Sequence, residues 1–181
     1  MKITVIYSSA NSDGLTASAK DRVVAGLKEK GAEIHEIWLN QADIRMCQAC
    51  GNGWGTCRSD GTCVIQDGFA DVYAAVQEAD GVVFVTAVYW HDMTECLKAF
   101  IDRMRRCDRH HNHTLDGKKV MITACAGGSG NGVTRCLEVM EYALDKMNMK
   151  TVERLPVTRF SREYMLPALE EAGKRFAEEF E

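Results

Sequence analysis

Four cysteines crowd one glycine-rich stretch of this sequence, Cys47, Cys50, Cys57 and Cys63, in the pattern C-x2-C-x6-C-x5-C. Thiolates are soft ligands, and a [4Fe-4S] cluster asks for one of them per iron, while glycine leaves N–H groups free to face the sulfurs. Gly51, Gly53, Gly55 and Gly61 are spaced for that role. Two other readings stay open. Zinc uses the same donors, although a structural zinc site more often takes two short Cys pairs, and the gap after Cys57 is wide for one. The loop also reads without metal, as a cover over a neighbouring site or a subunit boundary, anchored by Trp54. The other four of the eight cysteines, Cys96, Cys107, Cys125 and Cys136, are scattered singly and read as small core residues.

Three more stretches carry chemistry. Ser8-Ser9-Ala10-Asn11-Ser12-Asp13-Gly14-Leu15-Thr16 holds more hydroxyl and amide groups than a helix cap needs. Gly14 lets a ligand approach the backbone, and the N–H groups and dipole of the following helix favour a phosphate. Ala87-Val88-Tyr89-Trp90-His91-Asp92-Met93 mixes aromatic and polar groups too densely for ordinary core or turn. Cys125-Ala126-Gly127-Gly128-Ser129-Gly130-Asn131-Gly132 has almost no side chains, so a planar ligand fits against bare backbone. Neither the G-x-G-x-x-G of dinucleotide-binding units nor the G-x-x-x-x-G-K-[ST] of nucleotide triphosphatases follows the first strand. From Arg103 to His113 the chain is locally basic. That segment reads first as a solvated helix end, and a binding surface for an anionic nicotinamide nucleotide is the alternative; His110, His111 and His113 lack the companion ligands of a metal site.

The elements that must position these groups alternate. Strands are expected over Lys2 to Ser8, Glu33 to Leu39, Gly81 to Thr86, Lys118 to Ala124 and Met149 to Val157. Helices are expected over Leu15 to Lys30, Ala70 to Ala79, a segment carrying Leu97, Phe100, Ile101 and Met104, Val133 to Met147, and Leu166 to Phe180 with Pro167 in its first turn. The polar His35 and Glu36 put the second strand at an edge. Strand–helix alternation implies a parallel sheet, here of order 2-1-3-4-5, with helices on both faces in a three-layer α/β sandwich.

With 181 residues, 46% hydrophobic content and two prolines, one domain spanning 1–181 is expected, with a cysteine-rich insertion at about 43–68. A formal net charge of -4 argues against nonspecific nucleic-acid or membrane-surface partners. No apolar run reaches transmembrane length and no leader pattern opens the chain, so a cytoplasmic protein is expected.

In the order 2-1-3-4-5 the turns after strands one, three and four leave the same sheet edge beside the switch point. Flavin mononucleotide fits all three: phosphate at the first helix, ring near Tyr89 and Trp90, and the Gly127 and Gly128 amides facing the N1–O2 edge. Hydride transfer at flavin N5 needs no side-chain acid or base, so no catalytic residue is assigned, and Tyr89, Trp90 and His91 form the substrate face.

These residues resemble a known family. Thr86-Ala87-Val88-Tyr89-Trp90-His91-Asp92-Met93-Thr94, followed by Leu97-Lys98-Ala99-Phe100-Ile101-Asp102-Arg103, is similar to the signature of the flavodoxin-like NADPH-dependent FMN reductases, most of all their iron-sulfur flavoprotein branch. The resemblance gives Ser9, Asn11, Gly14, Leu15 and Thr16 the phosphate role, with Ala10 and Asn11 where the family has proline and arginine. It implies cofactor contacts from Ala87, Val88, Tyr89, Trp90, Asp92, Met93 and Thr94, and from Ala126, Gly127, Gly128 and Gly130. Ala87 and His91 stand for the usual proline and glycine. The branch carries C-x2-C-x2-C-x4-7-C, whereas here the third position is Gly53. The resemblance implies an NAD(P)H-dependent FMN oxidoreductase, a homodimer or homotetramer, that passes electrons to a quinone, nitro compound, iron centre, adjacent cluster or other small-molecule or protein acceptor. The alternatives are a non-catalytic electron carrier between protein partners and a metal-free binding module.

Overall fold

Three runs of apolar and β-branched residues, Lys2–Ser8 (β1), Gly81–Ala87 (β3) and Lys119–Ala126 (β4), are buried along almost their whole length. That is the signature of strands covered on both faces. Glu33–Trp38 (β2) and Lys150–Thr158 (β5) contain exposed positions and lie at the edges. The computed structural model describes residues 1–181, apart from the side chains of His111 and Asn112. Its sheet is parallel, in the order β2-β1-β3-β4-β5. The doubly wound α/β architecture is the one the alternating pattern predicts.

The helices are Leu15–Glu29 (α1), Thr56–Ser59 (α2), Phe69–Glu78 (α3), Glu95–Cys107 (α4), Val133–Asp145 (α5) and Arg162–Glu178 (α6). One core, holding Phe69, Val76, Leu97, Phe100, Leu137 and Met140, lies under α3, α4 and α5. The other, holding Ala19, Val23, Leu27, Leu169 and Phe176, lies under α1 and α6. At β4 the register shifts between Val120 and Met121.

The expected elements are all present with ends moved by a few residues, and one correction is larger. The last helix begins at Arg162, so Pro167 is inside it and not in its first turn. The start was hidden because Ser161 gives no side-chain cap; it is engaged with Thr158, through Thr158 N–H to Ser161 Oγ at 2.9 Å and Ser161 N–H to Thr158 Oγ1 at 3.1 Å. The long segment after β2 contains a 3-10 turn, Leu39–Gln41, and the short α2.

Candidate functional site

In register, Ser8 pairs with Thr86, Thr86 with Ala124 and Ala87 with Cys125, so the turns after β1, β3 and β4 leave one edge of the sheet together. The first turn ends on an uncapped helix. Gly14 is the N-cap of α1, no side chain bonds the first-turn N–H groups, and no acidic residue stands in that turn. A helix start of this kind presents its N–H groups and positive dipole end to an anion. Asn11 is exposed, while Ser9 is buried and accepts the Asn11 N–H at 3.3 Å. Trp38 Nε1 donates to the Ser9 carbonyl at 2.8 Å, tying the turn to β2. Leu15 packs on the α1 core and Thr16 is buried, its hydroxyl in hydrogen-bond contact with Cys125. Both therefore support the turn from beneath.

After β3 the chain makes a tight reversal. Tyr89 and Asp92 exchange backbone hydrogen bonds at 2.8 and 3.0 Å, with Trp90 at φ 48° and His91 at φ 68° between them. Two consecutive left-handed residues define a type I′ turn, which glycine and asparagine usually occupy. Trp90 is 98% exposed as a result. The turn is seated on Gly132 (φ +87°), where an added Cβ would come within 2.8 Å of the His91 Cα. Val88, Trp90 and His91 face Ala126, Gly127, Gly128, Ser129 and Asn131 across a cavity of about 350 Å3. A Cβ added to Gly127 or Gly128 would meet no protein atom within 4 Å, so the glycines leave an open backbone face toward that space. Gly130 instead lies against Phe160.

Two of the expected contacts lie off this cavity, and two further residues line it. Met93 is 3% exposed and part of the core, with its N–H donated to Asp92 Oδ1 at 2.7 Å. Thr94 is buried as the N-cap of α4, with its hydroxyl against Ser8 and its N–H donated to Thr86 Oγ1 at 3.3 Å. Both brace the loop and neither faces the cavity, because a β3–α4 connection this short must turn inward to start the helix. Ala87 and Asp92 are half-buried and lie off its lining, whereas Ser129 and Asn131 line it. Polar residues inside a glycine run gave no sequence signal beyond turn propensity.

The cysteine loop is somewhere else. Cys47, Cys50, Cys57 and Cys63 do line one cavity, together with Gly53, Arg103, Arg106 and Cys107. That cavity shares no residue with the one between the β3 and β4 turns. It lies against the last turns of α4, about 20 Å along the helix from Thr94 at 1.5 Å per residue. Within one chain the loop leaves β2 and packs against α4, away from the cavity between the β3 and β4 turns. Trp54 packs edge-on to His110 at 4.4 Å and under the Arg106 guanidinium at 4.5 Å.

What holds the loop there is an ion pair. Arg103 is 1% exposed and grips Asp67 through Nη1–Oδ2 at 2.6 Å and Nη2–Oδ1 at 2.9 Å, lies 4.2 Å over the Phe69 ring, and contacts Cys63. Burial pushes the Asp67 carboxyl up, but the Arg103 guanidinium and the N–H groups of Arg45 and Phe69 outweigh it and hold the group at about 2. The basic stretch from Arg103 is consequently part interior, with Arg109, His110 and His113 exposed at its far end. Its first arginine is buried, and Arg106 donates to the Gly53 carbonyl. His111 of that stretch lies outside the described residues. Cys125 and Cys136 are buried thiols pushed up to about 12 by burial, as core cysteines should be. Cys96 departs from that expectation: it is half-buried and its Sγ lies 3.1 Å from Ser8 Oγ.

The sequence profile of the NADPH-dependent FMN reductases matches residues 1–160, and the chain belongs to that family. It is 31% identical over 118 residues to an iron-sulfur flavoprotein of Archaeoglobus fulgidus, a match that covers 65% of this chain and 51% of that protein. The chain therefore spans about half the length of that relative. In fold it is similar to the NAD(P)H:quinone oxidoreductase from Methanothermobacter marburgensis, with a TM-score of 0.78, 16% identity, and 97% of this chain and 96% of the other covered. It is also similar to a flavodoxin from the domain Archaea, with a TM-score of 0.65, 15% identity, and 99% and 98% covered. The sheet and its helices are flavodoxin-like. Among the described residues, no helix is long and apolar enough to cross a membrane.

Proposed function

We propose that this chain is an FMN-dependent oxidoreductase that draws electrons from a nicotinamide nucleotide, NADH or NADPH, and delivers them to a small-molecule or protein acceptor in the cytoplasm. One observation carries the reading: an uncapped helix start and a glycine-faced cavity open at the same sheet edge. Those features fit the two ends of FMN, an anionic phosphate and a flat ring. FMN bound there supplies a ring that accepts hydride at N5 and passes electrons on.

The chain's own part is binding and orientation. The α1 N–H groups, with Ser9, Asn11 and Gly14, would hold the phosphate. Val88 and Trp90 would border the ring, with Ala87 and Tyr89 beside them in the turn but off the cavity lining, and the backbone of Ala126, Gly127 and Gly128 would place donors where negative charge collects at its N1–O2 edge. Tyr89, Trp90 and His91 would meet the substrates. The exposed aromatics Trp90, Phe160 and Tyr164 suit a second copy of the chain across this face, in a homodimer or homotetramer.

The cysteine cavity would hold a [4Fe-4S] cluster. The support for this is the donor set alone, Cys47, Cys50, Cys57 and Cys63 around one space; among the described residues no three Cys, His, Asp or Glu side chains are placed to hold a metal ion. A cluster gives each thiolate its own iron, whereas zinc draws all its donors to about 2.3 Å. Arg106 on the cavity lining would offset part of the charge of thiolate-ligated iron, Arg103 being paired with Asp67. This cavity also favours a second reading, a carrier that relays electrons between proteins without a substrate of its own.

Anaerobic mixing with NADPH or NADH separates the two: rapid flavin bleaching supports the oxidoreductase, and reduction by a ferredoxin-like donor alone supports the carrier. A protein that is colourless after anaerobic isolation and does not quench added FMN fluorescence contradicts both.

A further inference from the structure

The turn after β1 holds no cation of its own. From Ile3 to Ala19 the sequence has no lysine or arginine, and its charged side chain there is the exposed Asp13. A phosphate monoester carries about 1.5 to 2 negative charges at neutral pH, while a helix start offers about half a positive charge. Asp13 offsets that half charge, so a phosphate at this turn needs a cation from another element. Arg162, the first residue of α6, lies beside the turn. It is exposed, pairs with no carboxylate among the described residues, and donates from Nη2 to Ser18 Oγ at 3.4 Å. Ser18 ends the first turn of α1, and its hydroxyl donates to the carbonyl of the N-cap, Gly14, at 3.1 Å. The cations along α1 are by contrast engaged, Lys20 and Lys28 with Glu36 and Arg22 with Glu170.

We propose that Arg162 is the phosphate-binding cation of the flavin site, reaching across from α6 to the start of α1. The proposal rests on the reading of this sheet edge as an FMN site, and the residue lies beyond the 1–160 span of the family match. Two features separate it from an idle surface arginine. A cation in the first turn of α6 opposes the positive end of that helix's own dipole, where its neighbour Glu163 is the charge the dipole favours. An anion at the α1 start removes that conflict. The position is also fixed, because α1 and α6 are in backbone contact. A Cβ on Gly26 would come within 1.9 Å of the Glu170 carbonyl oxygen, and one on Gly173 within 2.4 Å of that of Val23. Arg162 therefore reaches from a rigid base, and its planar fork of donors suits phosphate oxygens.

The test is fluorescence titration of the full chain with FMN and with riboflavin, which has the same ring and no phosphate. Wild type, Arg162→Ala and Arg162→Lys are compared with Arg175→Ala, a control in the last turn of α6. An FMN affinity about tenfold lower in Arg162→Ala, partly restored in Arg162→Lys, with riboflavin affinity unchanged and Arg175→Ala normal, supports the assignment. A weaker salt dependence of FMN affinity in Arg162→Ala supports it as well. FMN affinity equal in Arg162→Ala and wild type, or an equal loss for FMN and riboflavin, overturns it while leaving the flavin site standing. A wild-type chain that binds neither flavin overturns the reading of the edge itself.

Discussion

The two ends of α4 are built by opposite means. At its N-terminus the site is backbone: an uncapped helix start, a reversal through Trp90 and His91, and glycines open to space. At its C-terminus the cavity is side chains, cysteine sulfurs and two arginines, with the buried Arg103 held behind it by the Asp67 carboxylate. A site made of backbone is fixed by topology and tolerates changes that leave the turns alone. A site made of charged and sulfur-bearing side chains depends on each partner, because an uncompensated buried charge is costly.

That contrast predicts where the molecule breaks. Arg103→Leu leaves Asp67 buried without its partner and should destabilise the fold by about 3–5 kcal/mol in urea unfolding. The double variant Arg103→Leu/Asp67→Leu should recover much of the loss, and equal loss in both would show that the pair is not the anchor. Acid acts on the same link. Because the folded Asp67 carboxyl sits at about 2 against an ordinary 3.8, the pair's contribution is complete above the ordinary value and disappears as pH falls toward 2. The shift corresponds to about 2 kcal/mol. Asp67→Asn should flatten that limb of the stability profile; an unchanged limb would assign it to other carboxylates.

At the other end the effects fall on binding. Gly128→Ala adds a methyl that meets no protein atom, so unfolding should be unchanged while FMN affinity drops about tenfold, roughly 1.4 kcal/mol, in a fluorescence titration. Unaltered affinity would remove Gly128 from the ring site. The smallest change is His91→Gly, which relieves a left-handed residue at φ 68° and should stabilise the protein by about 1 kcal/mol. Destabilisation would mean that the imidazole packing outweighs the strain.

The same contrast explains what could be read in the sequence. The edge that gathers the three turns was legible because it follows from local patterns: β-branched runs fix β1, β3 and β4, their order brings Ser9, Trp90 and Gly127 to one edge, and glycine announces its own turns. The buried Met93 and Thr94 were harder, since a residue's side within a loop depends on how the next helix starts. The far end was not legible. Nothing in the spacing links Asp67 to Arg103 or brings Cys107, far along the chain, to Cys47. Those contacts come from α3 and α4 lying side by side, and a basic run that looks solvated in sequence has its first arginine in the interior.

The account stands on two sites that share α4 and do not share residues. FMN titration of the wild-type chain and of Cys47→Ser/Cys50→Ser, followed by fluorescence quenching, tests it most directly. Saturable quenching with the same stoichiometry and affinity in both proteins is the predicted result. Absent quenching in the wild type, or quenching lost with the two cysteines, would contradict it.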